Sequence, residues 1–200
     1  MSADNPSQER SRVYVDLVDI VFAIIIGVSF TDFKEILVPP TPEFTTVTLL
    51  LAYVTVVASW VGYHRAVKDH VHKNVGRFAI DLILLYLYFV LINTVGNLTA
   101  LLGIFPWIFG FYMIWMLMRF LEYRKGPDRF KIRDHVIGII RAPMIFIGSV
   151  AVFYYYPIFY SSEHERVLYN GTYVDWAAWS ITLTLVLLYR ILPELAKRKS

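Results

Sequence analysis

The fold this sequence predicts is an all-α bundle of six transmembrane helices with both termini in the cytoplasm. Three observations predict it. Of 200 residues, 57% are hydrophobic and 18% charged, with a mean hydropathy of +0.53, which is too apolar for a soluble domain of this length. The apolar residues gather in blocks at Tyr14–Phe30, Thr46–Tyr63, Phe78–Val95, Leu101–Phe120, Val136–Tyr156 and Ala177–Leu192. Each approaches the roughly 20 residues a helix needs to cross a bilayer core. Finally, the basic residues alternate between the blocks. Arg10 and Arg12 precede the first; Arg65, Lys68, Lys73 and Arg77 separate the second from the third. Arg119, Arg124, Lys125, Arg129, Lys131 and Arg133 lie around the fourth-to-fifth junction, and Arg190, Lys197, Arg198 and Lys199 end the chain. The opposite side holds only Lys34 and Arg166, with Arg141 inside a block. Because Lys and Arg collect on the cytoplasmic side, this pattern orients the spans.

The elements follow in order. Residues 1–12 are polar and are expected to form a disordered or surface-lying cytoplasmic lead. Residues 13–192 are the transmembrane domain, and 193–200 a basic cytoplasmic tail. The lead has no short apolar core and small-residue cleavage site, so the first helix itself is expected to direct insertion. That helix ends near Thr31–Asp32, where Pro39, Pro40 and Pro42 force the chain to turn on the outer side. The stretch Phe78–Phe120 is too long for one span. Asn93, Gly96, Asn97 and Gly103 to Pro106 divide it into two helices joined by a tight outer turn. Gly126-Pro127 marks a turn in the charged stretch Tyr123–Asp134. Phe153–Tyr160 is an aromatic cluster at the outer interface, read as an interfacial belt ahead of a ligand cage. Glu163, Glu165 and Asp175 make the following loop acidic.

The net charge of +3 is explained by topology, with the bases facing the lipid bilayer's headgroups rather than nucleic acid. No cysteine is present, which excludes disulfides and thiolate metal sites. His64, Asp69, His70 and His72 lack the same-face His pair of a helical zinc motif, so no metal and no cofactor is expected. Asn97-Leu-Thr99 and Asn170-Gly-Thr172 match the glycosylation pattern on the outer side, a pattern common by chance. No nucleophile elbow, phosphate loop or paired catalytic carboxylates argue for an enzyme.

Asp16 and Asp19 are the sharpest candidates for function. They stand at i, i+3 in the cytoplasmic half of the first span, where ionisable groups are costly and usually face protein or water. Asp81, Arg141 and His64 fall at comparable depth. The five are expected to form one polar network near the inner mouth, either as an ion-pair cluster that fixes helix packing or as an ion path or proton-sensitive site.

Read together, three helices resemble a known family. Leu17-Val-Asp19-Ile-Val-Phe-Ala-Ile24-Ile-Ile-Gly27 is similar to the opening helix of the lysosomal potassium channel family and its one-repeat prokaryotic relatives. There an Arg-x-x-x-Phe-Ser-Asp signature leads into an apolar Val-Phe-Ala-Ile-type run; here Leu17 and Val18 stand in place of the Phe-Ser pair. Lys34-Glu-Ile-Leu-Val38-Pro39 resembles the segment that follows, and Trp60-Val-Gly-Tyr63-His64-Arg65 parallels Trp-x-x-His-His-Arg. The likeness covers roughly the first half of the chain. It implies a pore lined by the first helix, with an apolar constriction that falls on Ile24. Helical periodicity puts Ile20, Gly27 and Thr31 near the same face. A one-repeat chain would then form a homotetramer around a central axis. An apolar ring there gates by excluding water and discriminates monovalent cations by their dehydration cost.

The function expected is therefore a potassium-favouring cation channel or leak pathway in the plasma (inner) membrane. A reading from another class is a membrane-embedded sensor or effector subunit of defence type, whose basic loops dock a cytoplasmic protein partner. A small-solute transporter is disfavoured by the lack of inverted halves and of broken helix pairs.

Overall fold

The structure, a computed structural model, describes residues 6–38, 40, 43–69, 75–125, 132–160 and 170–197. Among them it is all-helical: α1 Pro6–Asp32, α2 Lys34–Leu37, α3 Phe44–Asp69, α4 Val75–Asn93, α5 Leu98–Lys125, α6 Ile132–Tyr160 and α7 Tyr173–Lys197. Five helices are long and apolar enough to cross a membrane: Val13–Asp32, Phe44–His64, Gly76–Asn93, Leu98–Leu121 and Ile140–Tyr160. This makes the chain an integral membrane protein. The sixth expected block lies within α7, whose apolar part, Tyr173–Tyr189, is shorter than the others.

Every expected block is helical except the last two residues of the third, and several helices overrun their blocks. α1 begins at Pro6, inside the polar lead, and α7 continues to Lys197 in the basic tail. Gln, Glu, Arg and Lys are good helix formers, so an apolar block stops where lipid stops while the helix goes on. Val95, expected in the third span, lies in the turn after Asn93, and Asn97 caps α5 by accepting from the Ala100 N–H at 3.1 Å. Gly103 and Pro106, expected to help break the long stretch, sit inside α5, as proline is tolerated in membrane helices. The Gly126-Pro127 turn lies outside the described residues.

The start of α7 shows why its loop sequence matters. The Asp175 carboxylate accepts from the Thr172 N–H at 2.7 Å, while the Asp175 N–H donates to the Thr172 hydroxyl at 3.1 Å. This is a reciprocal capping box. The Tyr156 hydroxyl donates to the same carboxylate at 2.7 Å, tying α6 to α7. Asn170 holds the chain at φ 64° just before it, and a Cβ on Gly171 would lie 2.8 Å from the Phe44 ring. Asn97 and Asn170, the two glycosylation-pattern asparagines, thus both shape the backbone.

Packing runs in a closed circuit. α3 meets α4, α4 meets α5, α5 meets α6, α6 meets α7, and α7 returns to α3. The core lies inside it, with Leu49, Leu51, Val56, Leu91, Leu101, Phe105 and Ile108 fully buried. Glycines let the later helices come close. Gly103 faces Phe153, Gly110 faces Phe146 and Gly148 faces Leu185, the small-residue packing that membrane helices favour. α1 stands apart, laid against α3 and α4 on the outside of the circuit.

Candidate functional site

α1 carries two stripes with the same spacing. Val18, Phe22, Ile25 and Ser29 advance by 4, 3 and 4 residues and are buried. Ile20, Ile24, Gly27 and Thr31 repeat those steps two residues later, which turns them about 200° around the helix. All four of the latter are exposed, Ile20 at 56% and Ile24 at 55%. A Cβ on Gly27 would meet nothing within 4 Å. The Thr31 hydroxyl donates to the Gly27 carbonyl at 3.3 Å, so its polarity is met within the helix. The four sequence-predicted lining residues therefore share one face, and that face is left open by the bundle.

The opposite side of α1 is clipped to α3 at two levels. At one end the Ser29 hydroxyl donates to the Ile26 carbonyl at 2.8 Å, so it accepts from the Tyr53 hydroxyl at 2.9 Å. At the other end Asp19 is held by two α3 side chains one turn apart. The Trp60 indole N–H donates to its carboxylate at 3.0 Å, and His64 Nε2 lies 3.2 Å from it. His64 Nδ1 sits 3.2 Å from the Trp60 carbonyl. Both atoms that face the ring are acceptors, so a neutral imidazole donates to one of them and an imidazolium to both. The cluster is half open, with the His64 and Asp19 side chains 33% and 38% exposed. Where water reaches it, a pair so exposed contributes about 0–1 kcal/mol. It positions α1 more than it stabilises the fold, and it presents a carboxylate beside the open stripe.

The other members of the expected network are placed differently. Asp16 is exposed and takes no part in the Asp19 cluster, because a three-residue step turns it about 60° away from the α3-facing side. Asp81 is buried on α4, one turn from the buried Arg77 on the same helix face. Tyr63 lies within electrostatic range of both Asp81 and Asp19. Arg141 lies with its guanidinium 5.1 Å over the Tyr189 ring, on the α6–α7 side. Of the expected network, Asp19 therefore meets His64, while Arg141 lies against Tyr189.

Two features had no counterpart in the sequence reading of the site. Trp60 binds Asp19, although only its place in the Trp60–Arg65 motif had marked it; its four-residue spacing from His64 was the available signal. A buried hydroxyl chain also crosses the core. Tyr88 bonds Tyr112, the Tyr112 hydroxyl donates to Ser59 at 2.6 Å, and Ser59 donates to the Thr55 carbonyl at 2.7 Å. Tyr189 stacks on Tyr112 at 4.7 Å. Hydroxyls scattered over three helices leave no linear pattern to read.

At the far end of α6, Phe153, Tyr154, Tyr155, Phe159 and Tyr160 are exposed, as interfacial rings are, and Tyr156 alone turns inward. Among the described residues, no three His, Cys, Asp or Glu side chains come together as a metal would require; His70, His72, Glu163 and Glu165 lie outside those residues. Compared with protein-family models, curated proteins and solved structures, the chain gives no match.

Proposed function

We propose that the protein is a potassium-favouring cation pathway formed by four copies, with α1 of each lining the central axis. In this reading α1, α3, α4, α5, α6 and α7 all cross the membrane and both termini lie in the cytoplasm. α7 has 25 residues, which gives it about 38 Å of helix against a core of roughly 30 Å. The membrane is the plasma (inner) membrane, and the chain is a divergent one-repeat relative of the lysosomal potassium channel family.

One observation carries the reading: α1 lies on the edge of the bundle with Ile20, Ile24, Gly27 and Thr31 uncovered in a single line. A helix committed to core packing would bury such a line. Gly27 adds weight, since glycine inside a helix costs roughly 0.5–1 kcal/mol relative to alanine and no neighbour in the protomer needs its smallness. A neighbouring α1 at an axis would. Ile24 then forms the narrowest apolar ring, and Asp19 lies just over one turn away toward the cytoplasmic mouth.

The test is potassium and sodium flux into liposomes for wild type and Ile24→Asn at matched amounts of folded oligomer. Four amides at the constriction ease dehydration, so flux rises and the preference for potassium falls. Since Ile24 is 55% exposed, the exchange leaves the thermal unfolding of the protomer unchanged. A well-folded Ile24→Asn protein without altered flux rejects the pore and favours the sensor-subunit reading. Orientation is tested separately, because the chain has no cysteine of its own. Cysteines placed singly at 34 and 68 are labelled by an impermeant thiol reagent from outside and from inside, respectively.

A further inference from the structure

Two carboxylates lie in the first turns of the α1 span Val13–Asp32, and the bundle treats them differently. Asp19 is taken up by Trp60 and His64 of α3. Asp16 is exposed, and among the described residues no hydrogen bond or ion pair engages it. At about 100° per residue, Ile20, Ile24, Gly27 and Thr31 all fall within about 80° of Asp16 around the helix. The buried Val18, Phe22, Ile25 and Ser29 fall about 120–180° from it. Asp16 therefore heads the open stripe, one turn before Ile20. Val13 and Leu17 beside it are exposed as well, so the carboxylate stands in an uncovered apolar surface. Against lipid tails an ionised group there is costly, and such groups face water or protein instead.

We propose that Asp16 sets the charge preference of the ion pathway. One carboxylate from each copy would stand at the cytoplasmic mouth, drawing in monovalent cations and rejecting anions. This rests on the four-copy reading above. Rings of carboxylates select cations, and apolar walls focus their field and raise the local cation concentration. Asp19 cannot serve in the same way, because Trp60 and His64 turn it toward α3. Ile24 lies two turns further on, about 12 Å along the axis. Charge sign and ion identity are then decided at separate levels, the first by Asp16 and the second by dehydration at Ile24. Arg12, four residues before Asp16 in the sequence, carries the opposite charge and supplies a test of sign.

The chain has no cysteine, so the charge at position 16 can be altered after folding. The Asp16→Cys protein in liposomes is treated with a negatively charged sulfonate or a positively charged trimethylammonium thiol reagent. A potassium chloride gradient then reads the preference for potassium over chloride. Asp16→Cys should lower potassium flux about tenfold at low salt. The sulfonate should restore flux and cation preference, and the trimethylammonium group should lower both further. These differences should close near about 1 M salt, while the preference for potassium over sodium stays as in wild type. Arg12→Gln should raise cation preference; a fall matching that of Asp16→Cys would overturn the proposal by showing that Asp16 acts as a partner of Arg12. Leu117→Cys, exposed on α5 four residues from the end of its span, should resist the reagents. Reaction at position 16 no faster than at 117 would place both against lipid and overturn the proposal. Wild-type flux that ignores the charge at position 16 would overturn it while leaving the pathway standing. Absence of flux through wild type would overturn both.

Discussion

α1 and α6 are both apolar helices at the edge of the described bundle, yet they are held in opposite ways. α6 is packed into α5 and α7 through glycines: a Cβ on Gly148 would stand 3.1 Å from Leu185, and one on Gly110 3.4 Å from Phe146. Its polar tie is also closed, since Tyr156 and Asp175 are 6% and 7% exposed and fully engaged with each other and with Thr172. α1 meets the bundle along a single stripe, its glycine faces nothing, and its polar tie through Asp19 is half open. The contrast separates residues that a protomer needs for its own fold from residues whose identity the protomer does not explain. The second kind is where function is to be sought.

The largest effect should come from the closed tie. Asp175→Ala removes the carboxylate half of the capping box, worth about 1 kcal/mol, and takes from the buried Tyr156 hydroxyl its charged partner, leaving it Thr99, at about 1–3 kcal/mol more. A loss of about 3 kcal/mol is expected in denaturant unfolding of the purified protein, with no change in ion preference for whatever fraction folds. If Asp175→Ala were as stable as wild type, the α6–α7 junction would be no firmer than the α1 tie and the contrast would collapse.

The open tie should respond in the reverse sense. Asp19→Ala removes the partner of Trp60 and His64, but the bundle leaves all three partly uncovered, so the stability lost should be smaller than for Asp175→Ala, about 1 kcal/mol or less. Flux in liposomes should change more than unfolding does, because α1 loses its anchor on α3 at that end. Asp32→Ala, exposed at the end of α1, serves as the control and should alter neither. A loss with Asp19→Ala as large as that with Asp175→Ala would place Asp19 among the folding residues.

Much of this contrast can be read from the sequence, and the residues show which physics carries it. The helices are legible because a bilayer demands continuous apolar runs, and the stripe from Ile20 to Thr31 follows from the helical period once the resemblance has picked out Ile24. Asp19 and His64 stand out because charge at membrane depth is rare. Asp16 carries the same signal and differs only by its angle around α1, which depends on where α3 and α4 pack. Helix ends escape a reading based on hydropathy, since the helix at Pro6–Arg12 needs no lipid, and four-residue α2 is too short to leave a period. Asp175 looked like one acidic loop residue among three. Its Thr172-x-x-Asp175 spacing was there to be read as a cap, but the reach of Tyr156 from another helix was not.

Gly27 offers the finest discrimination. Within one protomer nothing opposes a larger side chain there, so Gly27→Ala should stabilise α1 by roughly 0.5–1 kcal/mol through helix propensity alone. Gly148→Ala is the comparison from α6; it gains the same propensity but presses on Leu185, and the strain offsets the gain. The pair thus sets a baseline for what glycine is doing in each helix. Gly27→Leu extends the series, since its side chain still fits the open face of a protomer but not a close approach by a second helix. If α1 faces another copy, Gly27→Leu leaves thermal unfolding intact while shifting the oligomer to smaller species in size-exclusion chromatography with light scattering. If α1 faces lipid, the oligomer is unchanged by all three substitutions, and the glycine would mark no contact between copies.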